Sequence, residues 1–203
     1  MRILSVADKV APCLYHKQAV SRLPKIDLIL SCGDLPPEYL TFLAHAFNVP
    51  LGYVRGNHDI RHADAPPQGC IDLHGRIIQL SGLRILGLQG SRWYNGGPYQ
   101  YTEKQMMQRI RRLWLPLWRQ KKIDIIITHA PPRLVDDAED PCHRGFHCFH
   151  RLIQRHAPRY FLHGHIHRLF DHPWQRISHV SQTRVINTYG YHIFEIDHHE
   201  TTR

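Results

Sequence analysis

The sequence predicts an α+β fold in which a two-sheet β-sandwich is flanked by helices. Three observations lead there. Short runs rich in Ile, Leu and Val recur along the chain, as strands covered on both faces require. Segments with helical spacing of apolar residues fill the gaps between several of them. The last quarter changes texture, to brief strands joined by glycines without room for crossover helices. That texture suits antiparallel or hairpin-like pairing. With 203 residues and no repeat, low-complexity tract or long linker, a single domain over 1–203 is expected.

The elements follow in order. Buried strands are expected at 3–6, 27–30, 51–54, 84–87 and 124–128 from their apolar content. Pro37–Phe47 reads as a helix that ends before Pro50. "TEKQ" at 102–105 has the Thr-x-x-Gln form of a capping box. In the helix it starts, Met106, Ile110, Leu113 and Leu117 form an apolar stripe, with Arg109, Arg111 and Arg112 off it. Pro116 is expected to bend or end that helix. A third helix follows Gly145, with Phe146, Phe149, Leu152 and Ile153 turned inward. "RYFLHGHIHRLF", "TRVINTYG" and "YHIFEIDHH" supply the closing short strands.

Composition narrows the function classes. Apolar residues make up 42% of the chain, enough for a substantial core, and 26 Lys and Arg against 17 Asp and Glu leave a formal charge of +9. That surplus favours anionic partners: phosphorylated metabolites, nucleic acid or an acidic lipid surface. The 18 histidines are good transition-metal ligands, although His198 and His199 read as tail residues. Five cysteines, an odd number without a Cys-x-x-Cys pair, indicate neither a disulfide framework nor a thiolate zinc site. No signal-peptide core or membrane-length apolar stretch occurs, so a cytoplasmic protein without a membrane partner is expected.

Polar residues recur at the ends of the expected strands. Asp8 follows the first strand, and Asp34 in "SCGDLP" follows the second. Asn57, His58 and Asp59 in "RGNHD" follow the third, and His129 in "THAPP" follows the fifth. His163, His165 and His167 lie in "HGHIH". Ligands of α/β folds gather beyond the carboxyl ends of strands, so these groups can meet although they are distant in sequence. Two carboxylates, an amide oxygen and imidazoles suit Mn, Fe or Zn better than Ca. A carboxylate shared between two ions would hold them roughly 3.5–4 Å apart. Glycines before Asp34, Asn57 and His165 would let the backbone turn tightly there. Cys32, beside Gly33, reads as buried packing.

Taken together, Asp8, "GD" at 33–34, "GNHD" at 56–59, His129 and "GHIH" at 164–167 resemble the calcineurin-like metallophosphoesterase family over nearly the whole chain. The resemblance implies a four-layer αββα sandwich and a dinuclear centre that hydrolyses phosphate esters. It implies that Asp8, Asp34 and His167 hold the first metal. Asp34, Asn57, His129 and His165 would hold the second, with Asp34 bridging. His58 would stand beside the centre as the catalytic histidine, contacting phosphate and protonating the leaving group. Asp59 would orient His58 or a loop. The family usually begins Asp-x-His, and here the histidine is replaced by Val10, which leaves the first site one imidazole short.

The expected function is therefore metal-dependent hydrolysis of a small phosphodiester or nucleotide, with two divalent ions, Mn or Fe and otherwise Zn. Candidate substrate contacts are Asn57 and His58, with Arg55 before the "GNHD" loop, Arg92 in "GSRWYNGGPYQY" (90–101), and Arg144 in the segment before the third helix. Trp93 in the 90–101 loop either stacks on a ligand or plugs the core. Two alternatives stand beside this reading. One is a metal-dependent nuclease, using the basic stretch Arg109, Arg111, Arg112, Arg119, Lys121 and Lys122. The other is a noncatalytic nucleic-acid-binding protein with a degenerate metal site.

Overall fold

A computed structural model describes residues 1–119 and 122–197; Lys121, His198 and His199 lie outside the described residues. The described residues form thirteen strands and five α-helices. The strands are β1 (Arg2–Ala7), β2 (Leu28–Ser31), β3 (Leu51–Tyr53), β4 (Ile71–Asp72), β5 (Arg76–Leu80), β6 (Leu83–Leu88), β7 (Ser91–Arg92), β8 (Gln100–Tyr101), β9 (Ile125–Thr128), β10 (Tyr160–His163), β11 (Ile177–Val180), β12 (Thr183–Asn187) and β13 (Gly190–Glu195). The helices are α1 (Lys17–Val20), α2 (Pro37–Phe47), α3 (Glu103–Arg112), α4 (Trp114–Arg119) and α5 (His147–His156). All five apolar runs expected as strands are strands, within one residue at either end.

The strands form two mixed sheets, ordered β13-β1-β2-β3-β4 and β11-β12-β10-β9-β6-β5, and a small β7-β8 pair. The continuous apolar runs are explained by period two. In β1, Ile3 and Ala7 face the second sheet, while Leu4 and Val6 face the helical side. In β9, Ile125 and Ile127 meet the first sheet and Ile126 meets the other helices. The layer between the sheets thus joins Ile3, Leu28 and Leu30 to Ile85, Ile125 and Leu162. Outside it, Tyr39, Leu40 and Leu43 of α2 cover the first sheet. Met106 of α3, Leu117 of α4 and Phe149, Leu152 and Ile153 of α5 cover the second. The architecture is the four-layer αββα sandwich.

Local chemistry sets the helix boundaries. α2 ends at Asn48, which takes a left-handed φ of 52° as a C-terminal asparagine can. The Thr102–Gln105 capping box opens α3 with both reciprocal bonds present. The helical stretch after it differs from expectation: it breaks at Leu113, and Pro116 lies in the first turn of α4 rather than ending α3. A proline is tolerated there because first-turn N–H groups have no helical acceptor.

The closing strands also differ in part. β11–β12 and β13–β1 are antiparallel as expected, but β10 pairs parallel to β12. The return path runs through the 164–172 loop, a 3-10 turn at Pro173–Arg176 and the edge strand β11. An edge strand supplies the crossover that a helix would otherwise supply. This pairing leaves β10 central, between β9 and β12, and aims its carboxyl end at those of β1, β2, β3 and β9.

Candidate metal centre

Four acceptor atoms converge after β2, β3, β9 and β10. His129 is fully buried, and its Nδ1–H donates to the Cys32 carbonyl at 2.8 Å. That bond directs Nε2 into the cleft, where it lies 3.3 Å from Asp34 Oδ2 and 3.1 Å from Asn57 Oδ1. His165 Nδ1 is 3.0 Å from the same Nε2, while His165 Nε2–H donates to the Cys142 carbonyl at 2.6 Å. Each imidazole is thus fixed by a backbone carbonyl so that its other nitrogen faces the common point, as the outer partners of metal-ligating histidines do. Two nitrogens, a carboxylate and an amide oxygen around one point fit a divalent transition metal.

The charges tell the same story. Burial opposes a charge on His129, but the Asp34 carboxylate outweighs it and raises the imidazole to about 9. Asp34 is driven well below the ordinary carboxylate range: burial opposes this, and His129 and the His58 N–H overcome it. Burial and then the His129 charge push His165 down to about 3. In the metal-free protein a positive charge among these acceptors is favoured, and it sits on His129.

The second half of the cleft is more open. Asp8 has a fully buried carboxylate that accepts the His165 N–H at 3.0 Å and lies 3.6 Å from His167 Nε2. His167 is well exposed and its ring lies against Tyr189, with centroids 5.1 Å apart. Val10 packs against the core under α2, so its position adds no donor. Asp8 and His167 therefore lie on one side, and Asp34, Asn57, His129 and His165 on the other.

Backbone strain accompanies this placement. The sequence suggests glycines as the turning residues, yet Asp8, Asp34 and His165 themselves take left-handed φ values of 62°, 55° and 67°. Gly33 does turn as expected, with a φ of 96°, whereas Gly56 and Gly164 serve close approach. A Cβ on Gly56 would lie 2.0 Å from Asp34 Oδ1, and one on Gly164 would lie 2.6 Å from Asp8 Oδ2. Asp59 ties the loops together, accepting the N–H groups of Asp34 at 2.7 Å, Leu35 at 3.1 Å and Gly56 at 2.8 Å. It braces the loops and does not enter the acceptor cluster.

His58 stands at the rim with an exposed side chain, and its N–H donates to Asp34 Oδ1 at 2.8 Å. The three candidate arginines are engaged elsewhere. Arg55 pairs with Asp72 at 3.2 Å, and Arg92 with Glu103 at 2.6 Å. Arg144 donates to the Glu139 carbonyl at 2.9 Å. Trp93 is 56% exposed, so it does not plug the core. From the same loop Tyr94 does reach the centre, its hydroxyl accepting from Asn57 Nδ2 at 3.3 Å. The carbonyls of Cys32 and Cys142 had no signal in the sequence, because every residue carries one. A second group, exposed Asp140 with half-buried Cys142 and His143, clusters in the 136–145 segment.

A family model described as calcineurin-like phosphoesterase matches residues 5–169. Solved structures resemble the chain in fold at low identity. TT1561 of Thermus thermophilus is 18% identical, with a TM-score of 0.63 over 93% of this chain and 89% of that one. GAP50, described as the anchor in the inner membrane complex of Plasmodium, is 15% identical, with a TM-score of 0.52 over 92% and 70%. The calcineurin-like phosphoesterase YfkN from Bacillus subtilis is 10% identical, with a TM-score of 0.46 over 96% and 89%. A comparison with curated proteins finds no match. Among the described residues no helix is long and apolar enough to cross a membrane. The matched model spans every motif that converges on the cleft, and the chain belongs to the calcineurin-like phosphoesterase family.

Proposed function

We propose that the protein hydrolyses a small phosphodiester or nucleotide at a dinuclear centre holding Mn or Fe, and otherwise Zn. The observation that carries this reading is the convergence of Asp34, Asn57, His129 and His165 on one point, with Asp8 and His167 beside it. Divalent ions held there supply an activated water and neutralise charge on the phosphoryl oxygens. The chain's own contribution is positioning. Asp34 sets a carboxylate against His129, the carbonyls of Cys32 and Cys142 hold the two buried imidazoles, and Asp59 fixes the loops. His58, exposed at the rim, gives its proton to the departing alkoxide. Tyr94 and Asn57 line the phosphate side.

One observation favours a second reading. Val10 leaves the first site with fewer protein donors, which suits weaker occupancy and so a binding protein with a degenerate site. The test is a hydrolysis screen with Mn²⁺ across aryl phosphate mono- and diesters, cyclic nucleotides, dinucleotides and short nucleic acids, run beside metal analysis. Turnover of small esters that chelator abolishes is the expected result. Folded protein that takes up no divalent metal would sink the reading. The nuclease alternative is checked with Arg111→Glu and Arg112→Glu, exposed on the outer helical layer. These should spare small-ester turnover, whereas selective loss of rapid cleavage of long DNA or RNA would favour a nuclease.

A further inference from the structure

A pocket of about 270 Å³ abuts the Asp8–His167 side of the centre. Lys9, Arg168 and Arg176 line it together with Phe170, Tyr189 and Tyr191, and no acidic residue does. Lys9 follows Asp8 in the chain and Arg168 follows His167, so the loops that place the two acceptors also place two of the cations. Tyr189, which lies against His167, forms part of the pocket wall.

The cations are not neutralised. Among the described residues none of Lys9, Arg168 and Arg176 lies in a salt bridge with a carboxylate. Arg176 is held by two backbone carbonyls, those of Asn187 at 3.2 Å and Tyr189 at 3.4 Å. Its guanidinium also lies 4.6 Å from the Phe170 ring centroid, and its buried Nε has no hydrogen-bond partner. Burial lowers the pKa of Arg176, as expected of a guanidinium withdrawn from water without a counter-ion. A half-buried cation of this kind is costly unless an anion completes it, and a guanidinium is suited to phosphate oxygens. The volume lies below the ~300–1,000 Å³ of whole-ligand sites, so the pocket suits one group of a larger substrate.

We propose that Lys9, Arg168 and Arg176 form a subsite for a second phosphoryl group, one carried by the substrate beside the ester that is cleaved. The inference rests on the hydrolytic reading for its place in the substrate, and it narrows the class to molecules bearing two phosphoryl groups, linked as a diphosphate or carried separately. Simple monophosphate esters would leave the subsite unused. Arg168, exposed, and Arg176, held in place by carbonyls, supply the specificity.

The test measures binding without turnover. Inorganic phosphate is titrated into chelator-treated full-length protein by calorimetry, for the wild type and for Arg168→Ala, Arg176→Ala and Arg176→Lys. Saturable binding is expected, weakened roughly tenfold or more in each alanine variant and partly restored in Arg176→Lys. Arg168→Ala changes an exposed side chain, so it decides the matter should Arg176→Ala unfold. Absence of phosphate binding, or equal affinity in wild type, Arg168→Ala and Arg176→Lys, would overturn the subsite. Because no metal or hydrolysis is involved, failure here is distinct from failure of the hydrolytic reading. In the metal-loaded enzyme, the KM of a dinucleoside diphosphate should rise in Arg168→Ala relative to that of bis(p-nitrophenyl) phosphate. An unchanged KM ratio would also overturn it.

Discussion

Asp34 and His58 are adjacent in space but differ in what their side chains face. The Asp34 carboxylate meets His129 in the buried cleft and accepts the His58 backbone N–H, while the His58 imidazole is exposed. Changing Asp34→Asn removes the negative charge that faces His129, so metal content and turnover should fall together. His58→Ala leaves the backbone N–H to Asp34 intact. It should lower turnover roughly 10²-fold or more with metal content preserved, as measured by metal analysis beside steady-state kinetics. An empty site in His58→Ala would make His58 structural or a ligand. At this scale the sequence was informative wherever chemistry lies in a side chain at a strand end: Asp8, Asp34, Asn57, His129, His165 and His167 all line the cleft. It was silent on arginine partners, since Asp72 and Glu103 reach Arg55 and Arg92 only through tertiary folding.

Between elements, one carboxylate joins α3 to α5. α5 begins at His147, after Phe146, whose side chain makes no cap, yet its first N–H groups are not left bare. Glu103, in the first turn of α3, accepts from His147 N at 3.1 Å and Cys148 N at 2.6 Å and also pairs with Arg92. It serves as an N-cap supplied from another helix, with the charge that a helix N-terminus favours. Glu103→Ala should therefore cost about 1–2 kcal/mol, read as a lower midpoint in urea unfolding, and Glu103→Gln should recover part of it. A midpoint unchanged in Glu103→Ala would show that water caps α5 equally well. The "TEKQ" capping box was legible because it is local, whereas the same segment's service to α5 was not, because its partner lies more than forty residues away. The parallel β10–β12 pair escaped for a related reason. Short strands without a helix between them read as a hairpin, and nothing local shows that β11 takes the edge.

Across the whole molecule, histidines of opposite tendency set a pH optimum for the metal-free protein. His74 and His192 are held down to about 4 and His165 to about 3, by burial first in each case. An unfolded chain protonates these imidazoles near 6.5, so below that pH it binds more protons than the folded chain. Stability then rises as pH increases from about 4 to 6.5. His129 acts in the other direction. Its pKa is raised to about 9 by Asp34 against the penalty of burial. The stabilisation from its charge is complete below about 6.5 and is lost as pH rises through 9. Chelator-treated protein should thus show its highest thermal midpoint near pH 6.5, with a decline on both sides. Saturating Mn²⁺ requires His129 in its neutral form, so binding between pH 6.5 and 9 should release a proton, measurable in weakly buffered solution. The same addition should flatten the alkaline decline while leaving the acid limb set by His74 and His192. A midpoint of chelated protein that keeps climbing from pH 6.5 to 9, with no proton released on adding Mn²⁺, would show that His129 is not the charged partner of Asp34.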